Sequence, residues 1–142
     1  MHQAMFVLLA SCLIGAGPVS GDLKKAQGTW QPTTVESDGA KLEQEELAVM
    51  RVVIDRDKYT VTRNGETIDQ GTLKLHEDKS PKQFDDTSSM GEHKGLTMKG
   101  IYELKGDVWK VCLAMPGKPR PKDYSAGKGS NHVVYIMKRA AK

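Results

Sequence analysis

The chain is 142 residues long, 38% hydrophobic and 27% charged, with a net charge of +3. That length supports one hydrophobic core and not comfortably two, and so small a net charge with so few aromatic residues argues against a nucleic-acid binder. Two cysteines, Cys12 and Cys112, far apart, exclude a scaffold stapled by several disulfides.

Residues 1–21 contain no Lys, Arg, Asp or Glu and carry an apolar run over 5–16 that breaks at Gly17-Pro18. This is the pattern of a secretory signal peptide. The run is too short for a transmembrane helix, which needs roughly 20 residues. Val19-Ser20-Gly21 sets small residues ahead of Asp22, so cleavage near Gly21 is expected, leaving an exported domain over 22–142, periplasmic or extracellular. Leu9-Ala10-Ser11-Cys12 leaves a second route open, a lipoprotein anchored through Cys12. After Asp22 only Cys112 remains, and its place in the apolar run 108–113 predicts a buried, inert thiol.

The mature charge is uneven. Residues 22–98 hold 11 basic and 15 acidic side chains, a net of −4, and residues 99–142 hold 10 and 3, a net of +7. The lysines of the second half sit at turns or alternate with apolar residues, as on a solvated barrel exterior.

Asp22 is placed to cap a short helical turn over 23–27. The first strand, 29–36, contains Pro32, which cannot donate to a ladder and predicts a bulge or an edge. A turn at Ser37-Asp38-Gly39 leads into 41–50, where Leu42, Leu47 and Met50 share one face of a short helix. The period then switches to two. Strands are predicted over 51–55 and 58–63, and Asn64-Gly65 is a strong hairpin signal ahead of 66–76. A weaker strand follows at 82–87, then 96–104, 108–113 and 132–139, with the longest loop at 114–130. These are the elements of an all-β, single up-and-down antiparallel barrel of about eight strands with a short helix between the first two. Gly28 and Trp30 open the first strand and Arg139 closes the last, so a sheet that curls shut brings them together as a structural clamp, the guanidinium stacked on the indole.

Residues 23–30, Gly100-Ile101-Tyr102-Glu103-Leu104, Val111-Cys112-Leu113, Pro116-Gly117-Lys118-Pro119-Arg120-Pro121 and Lys138-Arg139 together resemble the small lipocalin-like domain family abundant in planctomycete bacteria. The resemblance covers nearly all of 22–142. It implies a lipocalin-like (calycin) barrel and export; that family has no assigned function, so no catalytic residues come with it. The chain departs from true lipocalins in lacking the Thr-Asp-Tyr motif of a middle loop.

Chemistry-bearing clusters are scarce. His2, His76, His93 and His132 lack neighbours at metal-ligand spacing, so no metal and no cofactor is expected. Asp85-Asp86 is an adjacent acid pair whose members face opposite sides of a strand; both are expected to be solvated. Gly127-Lys128-Gly129-Ser130 lacks the spacing of a phosphate loop. Arg120, between prolines, is placed at the barrel mouth, either gripping an anion or tethering loop carbonyls. If the interior is hollow, alternation lines it with Val52 and Ile54, Tyr59 and Val61, Leu73 and Leu75, Met98 and Tyr102, Val111 and Leu113, and Val133 and Tyr135. The expected function is a non-enzymatic container for a small apolar or amphipathic molecule, gated by the 114–130 loop. The alternative is a solid-cored module whose loops meet an envelope protein.

Overall fold

A computed structural model describes residues 21–141. The expected leader as far as residue 20, with Cys12, lies outside the described residues. The element order is α1 (Gly21–Lys25), β1 (Gly28–Ser37), β2 (Ala40–Lys41), α2 (Gln44–Ala48), β3 (Met50–Asp55), β4 (Lys58–Arg63), β5 (Glu66–His76), β6 (Gln83–Ser88), β7 (Thr97–Lys105), β8 (Val108–Ala114) and β9 (His132–Arg139). Strands β1 and β3 to β9 pair antiparallel in chain order, and β9 returns to β1. The sheet therefore closes into an eight-stranded up-and-down antiparallel barrel, with β2 a two-residue appendage on β1 and α2 between the first two barrel strands. No helix among the described residues is long and apolar enough to cross a membrane.

Local chemistry explains the closure. Asn64 and Gly65 (φ 50° and 79°) join β4 to β5, and Asp38 and Gly39 (φ 48° and 88°) repeat the device after β1. Two left-handed residues in succession match the twist of the flanking strands. Pro32 does what its missing N–H dictates: the pairing of β1 with β9 slips between Pro32 and Thr34. β1 pairs with β3 over residues 28–30 on one edge and, on both sides of the bulge, with β9 over residues 30–37 on the other.

Three expectations change. The helix expected over 41–50 shortens to α2, because Ala40 and Lys41 pair back onto β1 and Met50 already opens β3. Leu47 and Met50 are nonetheless buried, forming with Val35 and Val133 an apolar plug at one barrel end. Asp22 does not cap α1 but lies within it, 4% exposed, accepting hydrogen bonds from the Tyr102 hydroxyl (2.7 Å) and the Lys82 ammonium (2.8 Å). Burial opposes its charge, but those two hydrogen bonds and the Lys82 charge outweigh it and hold the carboxyl below the ordinary range.

The third change concerns the long segment between β8 and β9, which is no gate over an open end. Ile101, Cys112 and Val134 are direct partners across β7, β8 and β9, and with Ala126 they form a cluster against which Tyr124 packs. They alternate with the inward-facing Tyr102, Val111, Leu113 and Tyr135, so the segment lies along the outer wall. The run at Cys112 is buried on both faces for this reason, and its burial pushes the thiol up to about 11.

Candidate functional site

The barrel interior holds a partly open cavity of about 80 Å³. Strand alternation brings to it Val52 and Ile54 from β3, Tyr59 and Val61 from β4, Leu73 from β5, Met98 from β7, Val111 and Leu113 from β8, and Tyr135 from β9. Gly71 makes room for one of these: a Cβ there would collide with the Thr87 carbonyl and lie 2.7 Å from the Tyr59 hydroxyl. A glycine is needed because the ring crosses the backbone at contact distance.

Three expected lining residues lie elsewhere. Leu75 is half-buried against the core without bordering the cavity, Tyr102 turns its hydroxyl to Asp22 at the α1 end, and Val133 belongs to the plug with Leu47. A strand face runs from one barrel end to the other, and the hollow occupies only its middle. Arg120 is not at the mouth. Its Nη1 donates to the carbonyls of Phe84 and Gly100 at 2.8 Å each, and its Nη2 to Asp85 Oδ1 at 2.7 Å, pinning its loop to the outer wall. Asp85 also meets His76 Nε2 at 3.0 Å. Desolvation opposes its charge, but those two partners outweigh it and keep the carboxyl below the ordinary range.

The clamp residues meet at the other barrel end. Trp30 and Arg139 are partners in the β1–β9 register, and the Arg139 Cζ sits 4.4 Å from the indole centroid. Arg139 also donates to the Gln27 carbonyl at 2.9 Å and the Lys25 carbonyl at 2.7 Å, and the Trp30 indole N–H donates to Ala26 at 2.8 Å. Gly28, at φ 114°, leaves a Cβ position 3.5 Å from the guanidinium.

The lining also contains Asp69, Phe84, Asp86, Trp109 and Met137. Asp86 corrects the expectation of a solvated acid pair: Asp85 faces out, whereas Asp86 is 7% exposed inside the barrel. The parity of β6 held the signal, since an inward Phe84 forces Asp86 and Ser88 inward two and four residues later, and all three are buried. Polar composition hid it. The Tyr59 hydroxyl stands between two carboxyls, 3.4 Å from Asp69 Oδ2 and also bonded to Asp86, while the Ser88 hydroxyl donates to Asp69 Oδ1 at 3.0 Å. Burial, with repulsion from Asp69, raises Asp86 to about 7 against the opposing Tyr59 hydrogen bond. Burial, with the charges of Asp86 and Asp69, pushes Tyr135 up to about 12.

Two buried polar atoms on lining residues, Asp86 Oδ1 and Trp109 Nε1, have no hydrogen-bond partner. Among the described residues no group of three or more His, Cys, Asp or Glu is placed to hold a metal ion. The arrangement is an apolar hollow with one acidic corner. No family model, curated protein or solved structure matches the chain.

Proposed function

We propose that the chain is an exported, lipocalin-like barrel that holds a small apolar or amphipathic molecule in its interior. The observation that carries this reading is the 80 Å³ cavity bordered by Trp109, Leu113, Val52 and their neighbours. A buried water occupies about 30 Å³ of liquid volume and an apolar cavity of about 150 Å³ accepts benzene, so this space suits a molecule of a few heavy atoms. The charge-free segment 1–21 and the motifs at 23–30, 100–104 and 138–139 support export and the lipocalin-like assignment.

Native mass spectrometry of the purified protein, with titration of Trp109 fluorescence by small hydrocarbons and alcohols, tests the reading. A bound mass or a saturable change in emission is expected. Absence of both across the panel overturns it in favour of the solid-cored module whose loops meet an envelope protein, a reading supported by the apolar plug at one barrel end and the α1 floor at the other.

A further inference from the structure

We propose, resting on the container reading, that the occupant is a small aliphatic amine in its protonated form, its ammonium group set against Asp86 and Asp69 and its carbon chain among Trp109, Leu113 and Val111.

Asp86 borders the cavity, is more than nine-tenths buried, and leaves Oδ1 without a partner. A buried acceptor in that state costs free energy until a donor reaches it. Nearby, Asp69 supplies a second carboxyl, which accepts from the Tyr59 and Ser88 hydroxyls and has no cationic partner among the residues lining the cavity. Among the described residues no Lys, Arg or His borders the cavity. The remaining walls select the form of the cation. A metal ion would want three or more ligands, and the cavity has two carboxyls and no His or Cys. Trp109, Tyr59, Phe84 and Tyr135 instead supply aromatic and apolar wall, and aromatic rings are among the groups that stabilise an organic ammonium. Val61 and Asp69, direct partners at the irregular step of the β4–β5 pairing, keep partial exposure and mark the side from which a guest reaches the interior.

The groups facing Asp86 are Tyr59 on β4, Asp69 and Leu73 on β5, Met98 on β7 and Tyr135 on β9. None carries a positive charge. An ammonium guest requires Asp86 ionised, so amine affinity falls as the pH drops through about 7 and protons are released on binding.

The test compares isobutylamine with its neutral analogue isobutanol, titrated into the full-length protein at pH 8 by calorimetry and Trp109 fluorescence. The amine is expected to bind at least about tenfold tighter. Asp86→Asn should weaken it by about thirtyfold, the scale for removing one partner of a buried charge pair, and should weaken the amine more than isobutanol. Should that variant fail to fold, the wild-type pH series decides: amine affinity must fall between pH 8 and 5, and by more than alcohol affinity does. Equal binding of amine and alcohol, or amine binding indifferent to Asp86 and to pH, overturns the amine and leaves the container standing. If no neutral or charged probe binds, the container reading fails and the amine with it.

Discussion

The Arg139 guanidinium lies over the Trp30 indole, 4.4 Å from its centroid, while its nitrogens hold the carbonyls of Lys25 and Gln27. One side chain of the last strand thereby fixes the α1 connection and the first strand together. Trp30→Ala should cost about 3–5 kcal/mol, the range for truncating a buried aromatic, and Arg139→Met about 1–3 kcal/mol through unsatisfied carbonyls and the lost ring contact. A double-mutant cycle by urea unfolding should give a coupling of about 0.5–2 kcal/mol; strict additivity would show that the two act independently.

Asp86 has the opposite character, a charge the fold resists. Its carboxyl ionises near 7 in the barrel and at 3.8 when exposed, so the folded state binds the extra proton between those values and stability falls as pH rises from about 4 to about 7. Asp86→Asn, whose amide can donate to Asp69, should raise stability at pH 8 by of the order of 3 kcal/mol, with the gain shrinking steadily towards pH 4. Thermal melts across that range give the measurement.

At Asp22 the sign reverses, because the folded carboxyl is held below its ordinary 3.8. The stability it contributes is present above that value and is lost as the pH falls through the folded one. Asp22→Asn should therefore destabilise at pH 7, with the difference from wild type shrinking as the pH falls below 3.8. Tyr102→Phe, which removes a donor from a buried acceptor, should cost about 1–3 kcal/mol at pH 7.

The outer-wall segment is tested by its thiol. Cys112 has no exposed surface beneath Tyr124 and Ala126, and burial disfavours its thiolate. Labelling by a disulfide reagent should be at least about a hundredfold slower in the native protein than in urea, and Tyr124→Ala should speed native labelling about tenfold by loosening the cover. An unchanged rate in Tyr124→Ala would place the protection elsewhere.

Much of this architecture is local in origin, and so could be read from residues in order. Asn64-Gly65 and Asp38-Gly39 set two-residue turns, Pro32 set the bulge, and period-two alternation set which side of each strand carries Val52, Ile54, Tyr59, Val111 and Leu113. The pairing of first and last strands was legible because Trp30 and Arg139 are chemically complementary. Only the closed barrel decided the rest. Where along a shared face the hollow falls, which excluded Leu75, Tyr102 and Val133, depends on how far α1 and α2 intrude from the two ends. Whether the 114–130 loop crosses an open end or an outer wall depends on where Ala126 and Tyr124 find apolar partners. Most of all, Asp86 reads as a surface residue in a polar strand, and its burial follows from a neighbour's parity combined with closure of the sheet around it. Alternation is a property of a strand and can be read along a chain; enclosure is a property of eight strands at once.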